Sequence, residues 1–294
     1  MKKWVQFLKE RFDPLGHFTM ITLFLLGHIL LTKSLGLITL APWQYIALSF
    51  AVVFFFLKLR FYDEIKDYET DIHVNPTRPL PRGLITHRDL YQAIALAIVI
   101  ELFCFGICSA AGLITGLVAI VYSLCMFKEF FIGPVLRPHL TSYAVSHTAV
   151  TILLSLSIFS GLTGLMINDL PIDLLLFSLI SWLLFNIFEF GRKSYLKNEE
   201  RENVPTYSNI FGRWGAFGLV FSQALIVIYL MFQIEKFNST IFKNSLLIII
   251  FLLAILGILF CTAKEGSLYG KIYRGFTSFF IVLIYGATII YFSI

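Results

Sequence analysis

The stretch "YDEIKDYETD", residues 62–71, follows one of the most apolar runs of the chain and places Asp63, Asp67 and Asp71 four residues apart. On a helix, positions i, i+4 and i+8 drift by only about 40° per step, so the three carboxylates share one face. Like charges at that spacing repel by roughly 0.2–0.5 kcal/mol per pair, and a compensating cation is expected. Hard oxygen donors suit Mg²⁺, which takes one or two carboxylates plus phosphate oxygens of a substrate. The sequel "NPTRPLPRG" breaks the helix at Pro76, Pro79 and Pro81 and carries Arg78 and Arg82, whose guanidinium groups can bridge two oxygens of one phosphate. The plainer alternative is a solvated helix end neutralised by Lys66 and Arg60. The strict spacing and the Arg-Pro sequel favour a ligand.

A second polar cluster lies in "FNIFEFGRKSYLKNEERENVPTYSNIFGRWG", with Asn186, Glu189, Arg192, Lys193, Glu199, Glu200 and Glu202. Two acidic clusters facing a common cavity could hold two Mg²⁺ ions around one diphosphate. Between them, "YSLCMFKEFFIGPVLRPHLTSYAVSH" offers Lys128 as a diphosphate ligand and Tyr122 one to two turns deeper. A snorkelling lysine and an interfacial aromatic are the plainer readings of that pair. Cys104 and Cys108 share a helix face, but without a nearby His or third thiolate the four cysteines read as small buried hydrophobes.

The elements that must position these groups are membrane helices. Hydrophobic residues make up 58% of the 294, charged residues 14%, and the mean hydropathy is +0.82, far from a soluble domain. Nine apolar stretches of spanning length are expected, near 17–37, 42–61, 90–109, 112–131, 141–161, 171–190, 213–232, 245–262 and 274–293. They use most of the chain, so a single all-α polytopic membrane domain over 1–294 is expected. The first stretch is too long for a signal-peptide core and reads as a retained helix. With a cytoplasmic N-terminus and an outer C-terminus, 20 of the 23 Lys and Arg fall on the inner side, leaving only Lys33, Lys236 and Lys243 outside. Glu101 alone places a carboxylate near the middle of a span. The expected surroundings are the lipid bilayer, with no nucleic acid and no obligatory protein partner.

Together these residues resemble the UbiA superfamily of intramembrane prenyltransferases, and the resemblance covers nearly the whole chain. In that family nine helices surround a central cavity open to the cytoplasmic side, with Asp-rich motifs after the second and sixth helices facing Mg²⁺ and diphosphate. "DEIKDYETD" looks like its Asn-x-x-x-Asp-x-x-x-Asp motif with Asp63 in the Asn place, and Arg78, Pro79 and Gly83 match its Arg-Pro-x-x-x-Gly continuation. The second motif departs. Glu189 and Glu199 stand where the family has Asp, at longer spacing before Thr206. The departure puts the family's familiar aromatic acceptors in doubt.

The resemblance implies Mg²⁺, as two ions, on Asp63, Asp67, Asp71, Glu189 and Glu199, with Lys66, Arg78, Arg82, Lys128, Arg192 and Lys193 on the diphosphate of a polyprenyl substrate. Ionisation of the allylic diphosphate would leave a carbocation that aromatic walls can stabilise, among 31 Phe and 13 Tyr. Tyr122, Tyr143, His147 and Asn186 are candidates to line the acceptor or prenyl pocket; a lone intramembrane His is otherwise a helix-bridging residue. Two alternatives compete. A terpene cyclase would quench the cation within its own chain, and a cation-coupled transporter would need several charges at mid-membrane depth.

Overall fold

The computed structural model describes residues 2–202 and 204–293. Its α-helices are α1 (Lys2–Arg11), α2 (Pro14–Ser34), α3 (Gln44–Lys66), α4 (Tyr68–Val74), α5 (His87–Cys108), α6 (Ala110–Phe127), α7 (Gly133–Leu136), α8 (Leu140–Thr148), α9 (Val150–Thr163), α10 (Ile172–Arg192), α11 (Tyr207–Gln233), α12 (Thr240–Thr262) and α13 (Tyr269–Ser293). Nine spans among the described residues are long and apolar enough to cross a membrane, α8 and α9 together forming one of them. The expected all-α, nine-span bundle is what the chain forms.

Local chemistry sets the helix ends. Asp13 caps α2 by accepting from the Gly16 amide, with Pro14 at the first helical position, where its missing N–H costs nothing. Thr86 and Asp89 form a reciprocal capping box that starts α5. Ser109 alone separates α5 from α6: its extended backbone ends one helix, and its hydroxyl accepts the Gly112 amide of the next at 2.8 Å. α6 and α9 approach closely there, since a Cβ on Gly112 would meet Gly161 Cα at 2.9 Å. In α11 the backbone leaves helical values at Gly212 (φ 70°, ψ 170°), directly before the apolar stretch expected from residue 213.

Packing closes the spans into a ring. α3 lies along α5, α6 along α9, and α10 against α9, α11 and α13, while α2 meets α13 so that the first and last spans adjoin. Several boundaries differ from expectation by four to six residues, two of them beside the polar clusters. α3 runs on to Lys66, carrying Asp63 in its last turns, because the i→i−4 ladder persists through the polar residues. α6 stops at Phe127, where Glu129, Phe130 and Phe131 take left-handed φ of 52°, 54° and 60°.

Two features lay beyond hydropathy. The basic N-terminal segment forms α1, its Phe7 fully buried and its Trp4 ring 5.9 Å from that of Phe61. Ion pairs fasten it: Lys3 to Asp89 at 2.7 Å, Arg11 to Glu64 at 2.5 Å and Glu10 to Arg82 at 2.8 Å. Deeper, Lys58 of α3 and Glu101 of α5 form a pair with both side chains at 0% exposure, and the Lys58 ammonium lies 4.4 Å from the Phe55 ring centroid. Glu101 is thus a partnered charge joining two helices.

Breaking that pair from one side should be costly, because the remaining charge has no water to turn to. Lys58→Met is expected to destabilise the folded chain by about 3–5 kcal/mol, read by denaturant unfolding in detergent, and Lys58→Met combined with Glu101→Leu should recover most of the loss.

Candidate functional site

The Asp stripe survives the break between α3 and α4. Asp67 sits between the two helices in right-handed conformation, and amide bonds from Asp67 to the Asp63 carbonyl (2.9 Å), from Asp71 to Asp67 (2.8 Å) and from Asn75 to Asp71 (2.9 Å) continue the helical ladder. The carboxylates therefore remain stacked, but their surroundings differ. Asp63 is half-exposed and accepts from Arg60 at 3.1 Å. Asp71 is buried and is held by Arg78 and by Asn75 Nδ2 at 2.9 Å. Asp67 is 53% exposed, its nearest cation the same Arg78 at 3.5 Å.

Although water reaches it, Asp67 is recessed in protein mass. Desolvation, then the charges of Asp63 and Asp71, raise its carboxyl above the ordinary Asp range, against the opposing pull of Arg78 and Lys66. Glu64, off the stripe, is fully buried and accepts from Arg11 and from the Leu80 amide at 3.2 Å, anchoring the proline loop. That loop turns at Gly83, φ 76°, a value few residues other than glycine adopt.

Opposite the stripe stands α8. Lys66 Nζ lies 3.0 Å from His147 Nε2, and His147 Nδ1 lies 2.7 Å from the Tyr143 carbonyl. A carbonyl can only accept, so Nδ1 carries the proton and Nε2 offers its lone pair to the lysine ammonium. The Tyr143 ring stacks on the imidazole at 3.9 Å, with Lys66 Nζ 5.0 Å from the Tyr143 ring centroid. Tyr143 Oη donates to Glu129 at 3.5 Å, and Glu129 is gripped by Arg137 Nε at 2.7 and 2.9 Å. The left-handed turn after α6 makes this possible, burying Glu129 and setting Phe130 edge-on to His147.

The second cluster comes to the same place in part. Asp63 and Arg192, from α3 and α10, lie close enough for their charges to act on each other. Glu189 is committed: one oxygen accepts from Arg192 at 2.6 Å, the other from Lys193 at 2.9 Å. The i, i+3 and i, i+4 spacing in "EFGRK" was the signal for this local pairing. Glu199 is not brought to the site. Both its oxygens are taken by the fork of Arg274, at 2.7 and 2.8 Å, which holds its carboxyl below the usual range. Nothing near Glu199 in sequence marks Arg274 as its partner.

Other expected site residues have local duties. Arg82 donates to the Thr77 carbonyl and to Glu10, on the outside of the loop, away from the stripe. Tyr122 spends its hydroxyl on the Ser146 carbonyl at 2.8 Å. Asn186 is buried, accepting from Thr148 and donating to Gln223 at 3.3 Å, so it ties three helices together. Outside that set, His28 bonds Ser155 at 2.9 Å inside an aromatic shell. Lys128 caps α6 at the bundle surface, its ammonium 5.2 Å from the Phe127 ring centroid, with no ion pair among the described residues.

A divalent ion fits the first cluster. Among the described residues no three His, Cys, Asp or Glu converge into a ready-made cage, but Mg²⁺ shared with a phosphate needs only one or two carboxylates. Asp67 and Asp63 present these to water. Asp71, buried against Arg78 and Asn75, serves instead to hold the arginine. In the second cluster Glu189 and Glu199 fail the same test, since both oxygens of each are taken by cations, and Glu200 accepts from Thr206 and Ser208.

No family model matches the sequence, and no curated protein matches it. Solved structures do match. One, from work on a digeranylgeranylglyceryl phosphate synthase in membranes, shares the fold with TM-score 0.69 over 100% of both chains at 14% identity. The apo structure of a UbiA homolog from Aeropyrum pernix K1 gives TM-score 0.59 over 94% of this chain and 95% of that one, at 16% identity. The chain thus shares its fold with both of these structures.

Two outcomes separate site from scaffold. An unfolded Asp titrates near about 3.9, and Asp67 titrates higher when folded. Its contribution to stability is complete below that unfolded value and is lost as pH rises through the raised one. Asp67→Asn should therefore unfold at a higher temperature than the wild type at neutral pH, with the gap closing on acidification, in a series of thermal scans. Glu199→Gln should cost about 1.5–3 kcal/mol of stability while Mn²⁺ uptake, followed by its electron paramagnetic resonance (EPR) signal, stays unchanged.

Proposed function

We propose that this UbiA-type bundle is a prenyltransferase, moving a prenyl group from an allylic polyprenyl diphosphate to an acceptor within the membrane. The observation that carries the reading is the grouping of water-accessible carboxylates at the end of α3 and its junction with α4 with cations from α3, α10 and the proline loop at one end of the bundle. Carboxylates alone would suit a cation, and cations alone an anion. Both together suit a metal-bound phosphate.

In this mechanism Asp67 and Asp63 hold Mg²⁺, which offsets the charge of the departing diphosphate when bound. Lys66, Arg78, Arg192 and Lys193 bind the phosphate oxygens, and Asp71 keeps Arg78 aimed. Lys128, a cation without an ion pair among the described residues, is a further candidate for the departing phosphates. The allylic carbon–oxygen bond breaks and its electron pair leaves with the diphosphate. Charges fixed in advance by their protein contacts stabilise that separation without reorganising. The prenyl tail lies among the spans, and the rings of Tyr143 and Phe130 flank the cation. The acceptor's nucleophile then closes the new bond, and the proton it loses passes to the released diphosphate.

His147 assists through Lys66. By offering Nε2 to the ammonium it orients the lysine toward the stripe and stays neutral beside it. The polar groups at this end are the ones that the Lys and Arg bias assigns to the inner side, so the diphosphate would be drawn from that leaflet.

Purified protein given Mg²⁺, a series of allylic diphosphates and membrane lipid extract should release diphosphate and yield a prenylated lipid detectable by mass spectrometry. A cyclic hydrocarbon formed without any acceptor would instead mark a cyclase. Asp67→Asn is expected to lower kcat by about 10²–10³-fold while the protein remains folded and well expressed.

A further inference from the structure

The two halves of the site differ in the sign of their spare charge. On the α3–α4 side, Asp63 and Asp67 are exposed carboxylates, and the cation nearest Asp67, Arg78 at 3.5 Å, is shared with buried Asp71. On the α10 side, Glu189 carries one negative charge against the two positive charges of Arg192 and Lys193. Its side chain is only 15% exposed, whereas those of Arg192 and Lys193 are 46% and 29% exposed. A second metal ion approaching Glu189 would have to displace both cations and meet a local charge of the same sign as its own. A phosphate would meet attraction, because a guanidinium carries five N–H donors and an ammonium three, more than Glu189 can use. Glu199, the other glutamate expected to hold metal here, is locked to Arg274, and Glu200 accepts from Thr206 and Ser208.

We infer that the diphosphate is held by a single divalent ion on the Asp63–Asp67 side, and that Arg192 and Lys193 take the place of a second ion as a fixed, metal-independent phosphate clamp. The inference rests on the diphosphate reading above and specifies its charge arrangement. Arg192 lies within range of the Asp63 charge, so ion and clamp would share one head group. One consequence is that the diphosphate keeps measurable affinity when metal is stripped away.

The test uses the full chain in detergent with Mn²⁺ and inorganic pyrophosphate as probes. After equilibrium dialysis with saturating pyrophosphate, EPR should count one Mn²⁺ per chain, and Asp67→Asn should bring that count to near zero. In EDTA, calorimetry should still detect pyrophosphate binding, weakened about tenfold or more by Arg192→Ala with Lys193→Ala. Arg192→Gln with Lys193→Asp, which frees Glu189 and adds a carboxylate four residues on, should take up a second Mn²⁺. Two Mn²⁺ per wild-type chain, or pyrophosphate binding that vanishes in EDTA, would overturn the single-ion clamp while leaving the diphosphate reading standing. Pyrophosphate that binds neither with nor without metal would overturn both.

Discussion

A row of like charges at the end of a membrane helix is unstable unless something absorbs the repulsion, and here Arg78 does most of that work. It pairs with Asp71, which is almost fully buried, and reaches toward Asp67, which is not. Because an ion pair removed from water tolerates little misalignment, this contact fixes the proline loop relative to α4. The same loop is fixed from below by Glu64, through Arg11 and the Leu80 amide. The outcome is a graded stripe: its far carboxylate is spent on structure, while the other two remain available to solvent.

That grading explains why some of the site could be read from the chain and some could not. Hydropathy and four-residue spacing are local properties, so the nine spans, the shared face of Asp63, Asp67 and Asp71 and the Arg78 sequel were legible. Partners distant in sequence were not. Glu199 looks like any other member of an acidic run until Arg274, 75 residues later, closes on it. Glu101 reads as an isolated intramembrane carboxylate until Lys58 is seen beside it. Asn186 has the chemistry of a substrate ligand, yet it is consumed by Thr148 and Gln223 in holding helices together. In each case residue type was informative about chemistry but silent about whether that chemistry was already used.

The neighbourhood of His147 shows how an imidazole can be tuned by geometry alone. Its Nδ1 is tied to the carbonyl one helical turn earlier, its face is covered by Tyr143 and its edge by Phe130, leaving only Nε2 to act. The positioning depends on three consecutive left-handed residues after α6, an arrangement that costs of order 1–3 kcal/mol per residue and persists because Arg137 holds Glu129 and the rings hold Phe130. Backbone strain and the setting of His147 thus coincide at one turn.

At the other end of the bundle the chain behaves in the opposite way. With Ser109 as the sole residue between α5 and α6, and its hydroxyl also donating to the Ser160 carbonyl, those two spans emerge from the bilayer and re-enter almost at once. That rim offers a protease no strand to cut, an antibody no peptide to grasp and an inserted tag no slack to occupy. Reporter fusions intended to establish sidedness would have to be placed elsewhere along the polypeptide.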